Sequence, residues 1–148
     1  MALAKYLSLG KAQTVAKRHT DGVVIGADTV VVRRGRVFGK PRGKADAKKM
    51  LAALSGKTHE IITGFSFVDA ATGRYTTHAV VTKVRFKSLT SSQIDSYVAT
   101  GEGQKAAGGY AYQKKGRALV LSVAGSEDNI IGLPIHELSK KLRLFLKK

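Results

Sequence analysis

The chain has 148 residues, 43% of them hydrophobic and 24% charged, the composition of one soluble globular domain over residues 1–148. No apolar run reaches the roughly 20 residues of a membrane-spanning helix, and Met1 to Gly10 lacks the apolar core of a signal peptide, so a cytoplasmic location is expected. Cysteine is absent, which excludes disulfides, thiolate zinc sites and cysteine nucleophiles and leaves any metal to carboxylates, histidines, water or substrate oxygens. A net charge of +16 predicts attraction to polyanions. The charge is spread along the whole chain and no basic stretch is interleaved with aromatics, so a solvated lysine-rich surface is favoured over a nucleic-acid footprint.

Leu3, Tyr6, Leu7, Ala12, Val15 and Ala16 step by threes and fours, which predicts an amphipathic helix over residues 2–18 with a phase slip at Gly10. Val23 to Val32 is a β-branched, nearly continuous apolar run, the pattern of a strand buried on both faces. Arg34-Gly35 turns the chain into a short Val37-Phe38 strand, which Gly39-Lys40-Pro41 ends. Residues 44–55 form a helix closed by Gly56. Residues 59–68 and 75–87 form a hairpin, its second strand alternating Thr82, Val84 and Phe86 with Lys83, Arg85 and Lys87.

Thr90 and Gln93 make a capping box for a helix over 90–99 that ends at Gly101. The glycine-rich segment 101–110 reads as a loop, 117–124 as a strand and 125–132 as a loop. Pro134 opens a last helix with Ile135, Leu138, Leu142 and Phe145 inward.

Asp28 stands out, because an ionised carboxylate in an apolar strand is costly unless a cation or donors compensate it. It is either a site residue or a strand-end cap. Gly26, two positions earlier, leaves room on the same strand face for a ligand or for backbone. Lys40, held between a flexible glycine and a rigid proline, suits a phosphate, and Lys11 offers a second ammonium from the first helix. Lys105, Tyr110 and Gln113 flank a glycine-rich turn whose bare N–H groups suit an anion or a base. Asp28 and Glu102 are the carboxylates that a hard cation would recruit. The four histidines lack metal-ligand spacing, and neither a Ser/His/Asp order nor a Walker glycine pattern is present.

Taken in order, Ile25-Gly26-Ala27-Asp28-Thr29-Val30-Val31, Gly39-Lys40-Pro41, Leu54-Ser55-Gly56-Lys57-Thr58-His59, Ile94 to Val98 with Gly101-Glu102, Lys105 to Gln113, and Gly125-Ser126 with Asn129 to Pro134 resemble the Maf family of nucleoside triphosphate pyrophosphatases. The resemblance spans essentially the whole chain. It implies an α/β fold with an elongated mixed sheet flanked by helices, like that of the inosine triphosphate pyrophosphatases, and often a homodimer. It also implies hydrolysis of a nucleoside triphosphate to the monophosphate and pyrophosphate with a divalent metal, Mg2+ or Mn2+. Carried over by position, Asp28 is the general base or metal ligand, Lys40 neutralises triphosphate charge and Lys11 adds a phosphate contact. Thr29, Glu102, Lys105 and Gln113 complete the substrate site, with Gln113 resembling the branch that acts on dTTP and UTP.

The sequence departs from the family pattern at its start, where a strand and a Ser-x-Ser-Pro-Arg-Arg loop normally precede the first helix. The loss of those arginines is expected to weaken turnover, so a catalytically weakened basic protein that binds nucleotide or nucleic acid is the alternative.

Overall fold

The computed structural model describes residues 1–148. Helix α1 spans Ala2–Ala16, strand β1 Val23–Arg33, β2 Arg36–Phe38, α2 Lys44–Leu54, β3 Thr58–Asp69, β4 Tyr75–Phe86 and α3 Ser91–Ala99. After a glycine-rich loop come β5 Val120–Ala124, the short α4 Glu127–Ile131 and α5 Ile135–Leu146. The five strands form one sheet in the order β2-β1-β3-β4-β5. The α/β class is the one expected. Where the resemblance implied a mixed sheet, the strands run antiparallel at β1–β2, at β4–β5 and across the β3–β4 hairpin; the β1–β2 and β3–β4 connections are too short for a parallel crossover.

The chain groups into two compact units. Unit 1 comprises Met1–Thr29, Ile62–Val81 and Asp128–Lys148; unit 2 comprises Val30–Ile61 and Thr82–Glu127.

In unit 1 the buried stripe of α1 is Ala4, Ser8, Ala12 and Ala16, one residue per turn and all small. Two glycines on the strands explain this choice. A Cβ on Gly26 would lie 2.2 Å from the Ser8 carbonyl oxygen, and one on Gly64 would lie 2.2 Å from that of Ala4. The helix backbone therefore sits directly on bare strand surface, and only small side chains fit beneath it. The room beside Gly26 is taken by backbone. Ser8 Oγ donates to the Lys5 carbonyl at 2.9 Å and accepts from Ser66 Oγ at 2.7 Å, so the contact carries no orphaned hydroxyl. The expected apolar face is corrected accordingly: Leu3, Tyr6 and Val15 are exposed, and α1 runs unbroken through Gly10.

The doubly buried strand is β3, whose residues Ile61 to Val68 are all buried, and not β1, which buries only Gly26, Val30 and Val31. The sheet order explains the difference. β3 is central, whereas β2 covers β1 only at Val31, Val32 and Arg33, leaving the earlier part of β1 at the sheet edge. Alternate β3 side chains Phe65 and Phe67 join Leu138 and Phe145 of α5 in one apolar cluster. Ile135, expected inward, is 49% exposed, because the α5 stripe that meets the sheet runs through Leu138 and Phe145.

In unit 2 the local signals hold. Thr90 and Gln93 form the reciprocal capping box on α3, Gly56 takes φ +66° after α2, and Gly101 takes φ +73° after α3. The predicted 117–124 strand starts only at Val120, after a 3-10 turn over Lys115–Leu119, and the predicted 125–132 loop contains α4.

Substituting alanine at Gly64 drives a methyl into helix backbone and is expected to cost about 3 kcal/mol or more in urea unfolding. Gly10→Ala, at a helical position with open space around it, should stabilise by about 0.5–1 kcal/mol.

Candidate functional site

In unit 1 the seating of α1 fixes the position of Lys11, next to the Ala12 that packs on Gly26. The Lys11 ammonium donates to the Asp28 carboxylate in direct contact and to the Ala27 carbonyl oxygen at 3.3 Å. The Asp28 side chain keeps 18% of its surface accessible and that of Lys11 keeps 59%. Asp28 is thus a shielded edge carboxylate, cheaper to hold than a fully buried one. An exposed ion pair of this kind adds little stability. Asp28 retains lone pairs for a water or a cation, and Lys11 retains donors for an anionic oxygen.

The next residue, Thr29, opens a polar chain. Thr29 Oγ1 donates to Thr63 Oγ1 at 2.8 Å, Thr63 donates to the Asn129 carbonyl oxygen at 3.1 Å, and Asn129 Nδ2 donates to the Val80 carbonyl oxygen at 3.2 Å. Thr63 and Asn129 are completely buried. Networks of this kind fix one arrangement, because a broken link strands a buried polar group. The chain holds the strand beside Asp28 against β3 and the start of α4. Sequence reasoning assigned Thr63 no role, although a threonine inside Ile61-Ile62-Thr63-Gly64-Phe65 is a legible anomaly.

In unit 2 the Gly108 N–H donates to the Gly39 carbonyl oxygen at 3.0 Å, which ties the Gly39-Lys40-Pro41 corner to the glycine-rich loop. That loop is folded so tightly that a Cβ on Gly103 would lie 1.9 Å from the Gly109 carbonyl oxygen, and Gly108 and Gly109 take φ +76° and +78°. Two tyrosines anchor its exit. The Ala111 N–H donates to Tyr97 Oη at 2.8 Å, and Tyr110 Oη is 2.8 Å from His59 Nε2. Lys40, Lys105 and Gln113 are exposed, free to meet a ligand. Glu102 accepts the Lys115 N–H at 3.0 Å, so this carboxylate closes the loop onto the following turn.

His59 is, with Thr82, a buried polar residue of this unit, packed edge-on against Phe86 and Tyr110 at 4.9 and 5.7 Å. Burial, helped by the nearby Arg33 charge, lowers its pKa to about 4, so the ring is neutral at pH 7. Burial also raises the Tyr110 and Tyr97 hydroxyls, which stay protonated.

No three His, Asp or Glu side chains gather where they could hold a metal ion. No helix is long and apolar enough to cross a membrane.

The sequence profile of the Maf family, described as Maf-like protein, matches residues 1–145. The chain belongs to the Maf family. Proteins named dTTP/UTP pyrophosphatase are similar to it across nearly its whole length. The one from Desulforamulus reducens is 44% identical over 143 residues, covering 97% of this chain and 75% of that protein. The one from Moorella thermoacetica is 46% identical over 145 residues, with 97% and 74% covered. The one from Bacillus anthracis is 43% identical over 139 residues, with 94% and 72% covered. The Maf match therefore includes Lys11 and Asp28 as well as the glycine-rich loop.

His59 supplies a pH test. Its folded-state pKa lies below the unfolded value of 6.5, so its contribution is complete above pH 6.5 and is lost as pH falls towards 4, where the unfolded chain takes up the proton first. Between pH 7 and 4.5 this Maf protein should lose about 2–3 kcal/mol through His59. Urea titrations of His59→Gln should show a correspondingly shallower decline.

Proposed function

We propose that the chain is a nucleoside triphosphate pyrophosphatase that hydrolyses dTTP and UTP to the monophosphate and pyrophosphate, removing nucleotides from a cytoplasmic pool. The single observation that carries this reading is Asp28, a carboxylate on a strand edge engaged by Lys11 and flanked by the Thr29–Thr63–Asn129 chain. Family membership and the names of the relatives support the substrate class.

In the proposed reaction a water attacks the α-phosphorus, the bond to the α–β bridging oxygen breaks, and pyrophosphate leaves. Asp28 orients the water and accepts its proton, the role a positioned carboxylate fills in general base catalysis. Lys11 and Lys40 supply fixed positive charge to the phosphate oxygens, where most of the catalytic benefit of phosphoryl transfer lies. The Gln113 amide pairs with the pyrimidine edge, and Lys105 with Thr29 adds polar contacts. Glu102 acts by holding the shape of the loop. A divalent cation, Mg2+ or Mn2+, would be held by Asp28 together with the phosphates, and when bound it neutralises phosphate charge.

The +16 charge favours a second reading, a basic protein that binds nucleotide or nucleic acid without turnover. One assay separates the two. Pyrophosphate release with Mg2+ should be greatest on dTTP and UTP in a panel that includes CTP, GTP, 7-methyl-GTP and ITP. Asp28→Asn should lower kcat by about 100-fold or more, and Lys40→Ala should lower kcat/KM by about 10-fold. Turnover unchanged in Asp28→Asn rejects the assigned role. A folded chain silent on every nucleotide rejects the enzyme and leaves the binding reading.

A further inference from the structure

Unit 2 carries a second concentration of positive charge, at the β1–β2 turn and the adjoining ends of β3 and β4. An open cleft of about 690 Å³ is lined there by Arg33, Arg34, Lys57, His59, Glu60 and Lys83, among others. Four cations face one carboxylate. None of the four is in an ion pair, although every one lies within the same cleft. Like charges held together without counterions repel, and a bound anion relieves that cost.

The turn sharpens the argument. Arg33 pairs with Arg36 across the ladder, so the connection is the two-residue Arg34-Gly35, with φ +48° and +77°. Two positive φ values define a tight hairpin turn whose first position favours Asn, Asp or Gly. Arg34 is the one non-glycine residue of the chain with positive φ. A long cation thus stands where turn chemistry prefers a short residue, beside an Arg33–Arg36 pair of like charges that further weakens the hairpin. Local structure explains neither choice.

A second observation comes from the lining itself. His59 is only 1% exposed, and its Nδ1 has no hydrogen-bond partner while Nε2 is engaged by Tyr110. The Arg33 charge reaches this ring, lowering its proton affinity. A buried ring nitrogen lacking a partner, lining a cleft of unpaired cations, marks a place where a further polar group is missing.

We propose that this cleft is an anion site for a small chain of linked phosphates, bound by Arg33, Arg34, Lys57 and Lys83. The cations come from the end of β1 and its turn, the residue preceding β3, and β4, three strands adjacent in the sheet, and so span two strand spacings, about 10 Å. A row of linked phosphates distributes its charge along such a line. The volume falls within the about 300–1,000 Å³ range of small-ligand sites. No aromatic ring is exposed in the cleft to stack a base, which favours phosphate over nucleobase recognition. The site is separate from the residues assigned to hydrolysis and does not depend on that assignment.

The test uses inorganic tripolyphosphate and isothermal titration of the full chain carrying Asp28→Asn and Lys40→Ala, which removes two groups of the proposed hydrolytic site. This host should bind tripolyphosphate, with affinity falling as salt rises. Adding Arg34→Asn and Lys83→Thr should weaken binding by about 10-fold or more. Arg34→Asn installs a residue that suits the turn, so the thermal midpoint should hold or rise, which separates lost binding from lost folding. In the otherwise unaltered chain, Arg34→Asn with Lys83→Thr should leave pyrophosphate release unchanged. Equal tripolyphosphate affinity with and without the two cleft substitutions, or no binding by the host, overturns the proposal. Tighter binding of an oligo-dT strand than of tripolyphosphate, abolished by the same two substitutions, also overturns it, because the occupant would then be nucleic acid.

Discussion

The close approach of α1 to strand backbone at Gly26 and Gly64 is the constraint on which unit 1 depends. Both contacts are shorter than any side chain permits, and together they fix where the helix lies on the strands. The stripe of Ala4, Ser8, Ala12 and Ala16 follows from that distance, as does the outward position of Leu3, Tyr6 and Val15. Chemistry follows as well. With Ala12 pinned over Gly26, Lys11 falls beside Asp28, so glycines with no reactive groups set the geometry of a reactive pair.

Buried polar residues do comparable work on the other elements. The Thr29–Thr63–Asn129 chain and the His59–Tyr110 pair each join segments far apart in sequence, 34 and 66 residues in the first case and 51 in the second. A hydrophobic contact tolerates sliding, whereas a satisfied hydrogen bond in a dry interior specifies one register. The first network steadies the strand that carries Asp28, and the second steadies the loop that carries Lys105 and Gln113.

What the sequence made legible was local. The hairpin, the Thr90–Gln93 box and the helix-ending glycines depend on neighbours within a few residues, and the structure reproduces them. Asp28, Lys40 and the glycine-rich loop stood out as departures from their surroundings, and the structure places Lys11 and Asp28 in contact. The face of α1 was illegible because it is dictated by glycines on two separate strands, which override its own periodicity. Burial of β3 in place of β1 required the sheet order, and α4 is too short to show a period. Thr63 and His59 drew no functional reading because their partners lie far along the chain, Tyr110 alone being 51 residues from His59.

The make-up of the two units has a consequence for how the molecule can be divided. Unit 1 is assembled from three stretches of chain and unit 2 from two, and the four changeovers fall inside β1, β3, β4 and α4. Ordinary domain boundaries lie in exposed linkers, where one cut frees two folding bodies. Here neither unit is a single contiguous fragment, since residues 62–81 of unit 1 lie between the two stretches of unit 2. Synthesis must reach Asp128–Lys148 before unit 1 has all its parts, and a recombination breakpoint anywhere between Thr29 and Asp128 splits at least one unit. The carboxylate of Asp28 and the loop bearing Lys105 are thereby inherited as a single indivisible piece of sequence.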